Sequence, residues 1–331
     1  MSAVPKTAES VFRHAAWVQS WLDVWGSDPR IQLIDLGGQK NPLEMVYCIK
    51  QNVKKILPLS TLVNAGFGFG ALCTPRAEYN SLHSLVAMAG GVGALQQQLS
   101  KLSWSQFSLA DISAENPSGE DVASLAVLGN WHVRLIKTEP AYSIKPGDFQ
   151  EYLASLGGGT RAIYFNRRQR LQDQGEISFR RYNCAEASDF FALLNVFHVP
   201  RWGGNCYSMQ SQEFMTLFCQ RLTAAGGRVI MEAMSVADEI VSVLFDVEWQ
   251  GVRYNFQSGY SENKFKRIAL GSIHFGYAIE QALTQGLSYD LMAGVGKHND
   301  YKAKIANHVI EFNSYMLVRG AAKYLYKLMG R

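Results

Sequence analysis

The chain lacks four things: a long apolar run, closely paired cysteines, a nucleotide-binding glycine fingerprint and any block of like charge. No stretch reaches the roughly 20 apolar residues that cross a bilayer, and the opening MSAVPKTAESVFRHAAWVQSW has neither the basic start nor the apolar run of a signal peptide, so a cytoplasmic protein is expected. The five cysteines, Cys48, Cys73, Cys184, Cys206 and Cys219, are odd in number and scattered, with no CxxC pair, which predicts reduced thiols and no metal site. No GxGxxG follows a strand and no GxxxxGK[ST] occurs, which disfavours nicotinamide and P-loop chemistry. Without GxSxG or HExxH, a serine hydrolase or zinc protease is disfavoured as well. The net charge of +4 comes from 32 basic and 28 acidic residues with no basic run, which argues against a general DNA binder.

What is present is core-forming sequence. With 331 residues, 47% hydrophobic and 18% charged, the chain suits two domains, and a junction is expected near residues 140 to 150, dividing it into 1–145 and 146–331. Aromatic and aliphatic residues at helical spacing from Ser10 to Trp25 predict an opening amphipathic helix. IQLIDLGG, EMVYCIKQ and VKKILPLST follow as a strand meander, then helices around SLHSLVAM and ALQQQLSKL, strand SQFSLADIS, a short helix after AENPSG, and strand HVRLIKTEPAYSI. In the second half, strand EISFRRY and helices EASDFFALLNVFHV and QEFMTLFCQRLTAAGG precede three successive strands, RVIMEAMSV, EIVSVLFDVEW and GVRYNFQSGY. Helix SIHFGYAIEQALTQG, strands LSYDLMAG and VIEFNSYMLV, and helix RGAAKYLYKLMG close the chain. Three antiparallel strands leading through a helix to another strand predict a mixed α/β domain, unlike a regular βαβα alternation.

The segment GVRYNFQSGYSENKFKRIALGSIHF ends a strand at Ser258-Gly259, passes Lys264, Lys266 and Arg267, and enters a helix at Gly271-Ser272. Unpaired N–H groups and positive partial charge at a helix start favour a phosphate, and nearby cations add to that; equally, Ser272 can be an ordinary N-cap beside a solvated basic face. In FHVPRWGG, His198 can serve as a base near neutral pH or cap the helix, Arg201 can hold a carboxylate or phosphate, and Trp202 can pack as a lid. Glu232 lies among apolar neighbours on a strand, where a carboxylate could take a proton from an amine nucleophile, although alternation turns it toward solvent.

From Tyr152 onward, GDFQEYLASLGGGTRAIYFNRRQRL, FHVPRWG, YNFQSGY with LGSIHFGYAIEQAL, and YDLMAGVGKHNDYKAKIAN resemble, in that order, the FemAB-like branch of the GNAT superfamily, particularly the CelD-type acetyltransferase domain named after a cellulose-biosynthesis protein. The resemblance covers roughly 180 residues, its specificity lying in order and spacing. The family's Tyr-Asp turn and following Tyr-Lys stand here as Tyr289-Asp290-Leu291-Met292-Ala293-Gly294 and Tyr301-Lys302; the usual acidic residue after the glycine is replaced by Gly296-Lys297-His298. The resemblance implies tandem GNAT-like domains with mixed, mostly antiparallel sheets, the first degenerate. It makes Lys304, or alternatively Lys302, the group that stabilises the reacting carbonyl oxygen. Ser258, Gly259, Lys266, Arg267, Gly271 and Ser272 would hold acyl-coenzyme A, acetyl-coenzyme A foremost, and Arg201, Trp202, Asp290 and Tyr301 would meet the acceptor. In the first half, TPRAEYNSL resembles the degenerate domain, with Arg76, Glu78 and Tyr79 facing the acceptor; a turn after Pro75 with an ordinary helical acid accounts for the same residues.

The implied reaction is acyl transfer to an amine or hydroxyl on a small molecule or glycan, in keeping with polysaccharide precursors of the cell envelope. Two alternatives stand beside it: a FemX-like peptidyltransferase using aminoacyl-tRNA, the only setting in which tRNA is a partner, and a non-catalytic GNAT-fold subunit of a polysaccharide-synthesis assembly. The oligomeric state is left open.

Overall fold

The computed structural model describes residues 10–53, 57–262, 264–294 and 301–328. Along the chain the elements are α1 (Ala15–Trp25), β1 (Ile31–Asp35), β2 (Met45–Val53), β3 (Leu57–Asn64), α2 (His83–Ala89), α3 (Val92–Lys101), β4 (Gln106–Ser113), α4 (Ser118–Gly129) and β5 (His132–Ile144). The second half continues with α5 (Phe149–Ser155), α6 (Gly158–Arg161), α7 (Arg168–Gln172), β6 (Ile177–Tyr182), α8 (Ala187–Trp202), α9 (Met209–Ala224), β7 (Arg228–Val236), β8 (Glu239–Trp249) and β9 (Val252–Tyr260). Next come α10 (Leu270–Thr284), β10 (Ser288–Ala293), α11 (Tyr301–Ile305), β11 (His308–Val318) and α12 (Ala321–Leu328). A π-helical turn, Ala162–Asn166, links α6 to α7.

The chain packs as two compact units, Met1–Pro140 with Ile310–Arg331, and Ala141–Val309. The expected second domain ran on to residue 331; in the structure most of β11 and all of α12 pack with the first unit.

In the first unit the strand order is β1-β2-β3-β4-β11-β5. The opening helix forms because Trp17, Trp21 and Trp25 recur every fourth residue and are buried together, and because the His14 side chain accepts the Ala16 N–H at its start. β1, β2 and β3 form the expected antiparallel meander, after which α2 and α3 carry the chain over to β4, parallel to β3.

In the second unit the order is β5-β10-β9-β8-β7-β6. β8 is buried on both faces for most of its length, the mark of a strand covered by helices on either side. α8 is apolar nearly all round and runs on through Pro200 to Gly203, whose left-handed φ of 76° ends it; it was expected to stop near Val199. α10 is the crossover that brings β10 parallel to β9. After Pro146 the chain forms α5, leaves the helical conformation at Leu156 and Gly157, whose ψ values are 141° and 144°, and then forms α6, the π turn and α7. No described helix is long and apolar enough to cross a membrane.

Candidate active site

The parallel ladder between β9 and β10 holds only Val252–Tyr254 against Ser288–Asp290, although β9 continues to Tyr260. Two local devices lie where that ladder ends. Across from β8, the register passes from Asp246 opposite Asn255 to Phe245 opposite Gln257, so Phe256 is an extra residue and β9 bulges. β10 bends as well: the Asp290 carboxylate accepts the Met292 N–H at 2.7 Å, Met292 has a φ of +60°, and the register to β5 shifts between Asp290 and Ala293. The Lys302 ammonium donates to the carbonyls of Met292 at 2.8 Å and Ala293 at 3.0 Å, fastening α11 to that bend.

Beneath the bulge lies Asp246, fully buried on β8. Its carboxyl accepts from Asn255 Nδ2 and pairs with the Tyr289 hydroxyl, each at 2.8 Å. Desolvation pushes this carboxyl up to about 7; the Arg253 guanidinium and the two hydrogen bonds oppose the rise, and the Glu232 charge adds to it. Arg253, itself buried, is paired with Glu248 and donates to the Ala278 carbonyl at 3.2 Å.

A second chain of polar groups runs from β6 through β7 and α10 to β8, buried beyond its first member. Arg181 Nε donates to Glu232 Oε2 at 2.9 Å, Glu232 Oε1 lies 3.4 Å from His274 Nε2, and His274 Nδ1 lies 3.0 Å from Ser242 Oγ. Because the Ser242 hydroxyl donates to the Gly259 carbonyl at 3.1 Å, it accepts from His274 Nδ1–H. Glu232 is therefore not solvent-facing as alternation suggested; it is 2% exposed, its burial made tolerable by Arg181 and His274. Burial alone would raise its pKa, but the hydrogen bond and charge of His274, then those of Arg181, outweigh burial and hold the carboxyl below its usual range.

The residues singled out for the donor fall around the start of α10. The N-cap is Ala269, with no side-chain cap, and Ser272 lies in the first turn, where it hydrogen-bonds the Tyr164 hydroxyl of the π turn rather than capping the helix. Gly271 is glycine for packing: a Cβ there would lie 2.3 Å from the Tyr260 ring. Gly259 likewise lies against α8, where a Cβ would come within 2.7 Å of Phe197 Cβ, and Ser258 stands opposite Leu244 in the β8–β9 ladder. Lys264 is paired with Glu239, whereas Lys266 and Arg267 are exposed, the Arg267 carbonyl accepting from Arg167 at 3.3 Å.

At the end of α8, Arg201 pairs with Glu262 at 3.0 Å and lies 4.1 Å over the Tyr260 ring. His198 sits within α8; its Nδ1–H donates to the Gly204 carbonyl at 2.8 Å, which leaves Nε2 as the acceptor nitrogen of the neutral ring, and the ring stacks on half-exposed Trp202. Tyr301 opens α11, its phenol pushed up to about 12 by burial and by nearby Tyr260, with Arg201 opposing. Lys304 is exposed on α11. Gly296-Lys297-His298 lies outside the described residues.

Arg76, Glu78 and Tyr79 belong to the first unit. Glu78 is fully buried and pairs with Arg76 at 2.9 Å, and Tyr79 packs edge-on to Phe312, so of the three only Arg76 is exposed. Sequence reasoning missed Asp246 and Tyr164. The acid in the apolar run VLFDVEW was a visible signal for the first, whereas nothing local marks the π turn that aims the second.

Residues 158–303 match the family model described as an acetyltransferase (GNAT) domain. No curated protein matches the chain. Among solved structures, FemX is 11% identical with a TM-score of 0.57, the match covering 98% of this chain and 99% of FemX. L-PGS from Bacillus licheniformis is 12% identical with a TM-score of 0.52, over 96% of this chain and 97% of that one. A conserved protein of unknown function from Bacteroides thetaiotaomicron is 11% identical with a TM-score of 0.52, over 94% and 93%. At these identities the likeness is one of fold.

Proposed function

We propose, from the premise that residues 158–303 form a GNAT-type acetyltransferase domain, that the chain transfers an acyl group, acetyl foremost, from acyl-coenzyme A to an amine or hydroxyl on a sugar or envelope-polysaccharide precursor. The CelD-type resemblance supplies the acceptor class. The observation that carries the donor is the short β9–β10 ladder with the bulge at Phe256: an amide-bearing arm can lie there as an added strand. Its diphosphate would meet the start of α10, where no side chain caps the helix and Lys266 and Arg267 are exposed.

In this reading Lys302 is a positioning residue, holding the bend of β10 through two carbonyls. Lys304 stabilises the negative charge that develops on the reacting carbonyl oxygen, an effect on the order of 3 kcal/mol for one well-placed donor. His198 Nε2, left as acceptor by the bond from Nδ1 to Gly204, takes the proton from the attacking amine or hydroxyl. Arg201, Trp202, Asp290 and Tyr301 are the proposed acceptor contacts, with Arg201 and Tyr301 both close to Tyr260.

An aminoacyl-tRNA donor is the second reading, and a specific feature favours it: Arg170, Lys266 and Arg267 are exposed on two segments joined by the Arg167–Arg267 hydrogen bond, the kind of cationic face that phosphates seek. Thermal unfolding and calorimetry with acetyl-coenzyme A, longer acyl-coenzyme A and aminoacyl-tRNA separate the readings. Acetyl-coenzyme A at about 100 times its Kd should stabilise the chain by about 2.7 kcal/mol. Stabilisation by the RNA alone would replace the donor, and none by any ligand would favour a non-catalytic subunit.

A further inference from the structure

The first unit contains a parallel pair built like the one that frames the candidate site. β3 and β4 pair only over Thr61–Val63 against Gln106–Ser108, and β4 then runs on to Ser113, as β9 runs on beyond its own short ladder with β10. Beside the free run of β4 lies the chain itself. It leaves β3 at Asn64 and returns at Asn80, which forms a parallel bridge to Ile112 and donates its N–H to the Asp111 carbonyl at 3.1 Å. The Asn64 side chain donates to Asn80 Oδ1 at 2.8 Å, tying the point of departure to the point of return.

The excursion between them is fastened along its length. Trp17 Nε1 donates to the Gly66 carbonyl at 2.9 Å, the Tyr47 hydroxyl to that of Phe67 at 2.8 Å, and Arg30 to that of Ala71 at 2.9 Å. At its end Arg76 binds three carboxylates: Glu78 at 2.9 Å, Asp111 of β4 at 3.2 Å and Glu139 of β5 at 2.9 Å. Tyr79 and Asp111 accept left-handed φ values of 56° and 53° to make the return, a local strain that a side chain without glycine's freedom tolerates only where surrounding contacts enforce it.

We propose that residues 76–80 are a built-in occupant of a second cleft of the donor type, so that the chain binds one acyl donor, in the second unit, and the first unit binds none. A ligand able to enter that cleft would be an extended, amide-bearing chain, and the segment around Asn80 already supplies the strand-like contact such a ligand would make. The stoichiometry rests on the donor reading above; the occupancy of the cleft does not.

Two measurements test the proposal separately. Titration with acetyl-coenzyme A in a calorimeter should give one equivalent per chain, and two equivalents would overturn the proposal. No binding at all would refute the donor reading while leaving the cleft to the second measurement. In native-state hydrogen exchange the Asn80 amide should exchange at least about 100-fold slower than an unstructured peptide. Arg76→Met together with Glu78→Met, which removes the tether along with the fully buried Glu78 carboxylate while Glu139 keeps Lys137 and Asp111 keeps the Ser314 hydroxyl, should erase at least about tenfold of that protection while β9 amides keep theirs. Free exchange at Asn80 in the unaltered protein, or protection untouched in the double variant, would sink the idea.

Discussion

The substitution Asp246→Asn perturbs a single proton. The side chain is fully buried, its oxygens engaged by Asn255 and Tyr289, and an asparagine copies the shape and hydrogen-bonding pattern of the protonated acid. A rise from 3.8 to about 7 means that folding favours the neutral form by roughly 4 kcal/mol. Below about pH 4 both folded and unfolded chains hold the proton, so this group adds no pH dependence. Between 4 and 7 the unfolded chain releases it and the folded chain keeps it, so stability falls by about 1.4 kcal/mol per pH unit; above 7 both states release it and the penalty is constant. The asparagine variant has no such proton to lose. Urea unfolding of the two proteins at pH 5 and pH 8 should therefore show the variant gaining about 3 kcal/mol on the natural chain between the two conditions. Profiles that run parallel would mean that Asp246 is ionised throughout, held by Arg253, and that desolvation does not dominate the site.

Gly271→Ala should destabilise the protein by about 1 to 3 kcal/mol in urea unfolding, because the new methyl group meets the Tyr260 ring, and Tyr260→Ala in the same chain should relieve most of that loss. Lys302→Met should weaken donor binding by releasing the carbonyls of Met292 and Ala293, measured by calorimetry. For Lys304→Met, steady-state kinetics should show kcat reduced roughly 100-fold with donor affinity kept; full activity would remove this lysine from the chemistry. Arg181→Met should destabilise the chain more above pH 5 than below pH 4, since Glu232, held below its usual range partly by Arg181, is then left ionised with less compensation.

Local pattern was enough for most elements. The β-rich runs that became β7, β8 and β9, the helical spacing of α1 and the crossover α10 announce themselves because burial imposes periods of 2 and 3.6 on nearby residues. The start of α10 and its basic approach were legible as well, because a turn, its cations and a helix start lie within ten residues of one another. The roles of individual residues there were not. Gly271 and Gly259 read as places for a ligand's phosphates and turned out to sit against Tyr260 and Phe197, residues 11 and 62 positions away in the chain.

The sequence by itself determined the mixed α/β class and the order of the strands along the chain, since each is written in short-range periodicity. Only the tertiary structure decided which groups are neutral, which cations are already engaged and where ladders stop. Glu232 became buried and paired, Asp246 became an acid that titrates near neutrality, Lys302 became a clamp on β10, and most of β11 joined the first unit. These outcomes depend on desolvation and on partners brought together from distant segments, and neither quantity exists until the chain has folded.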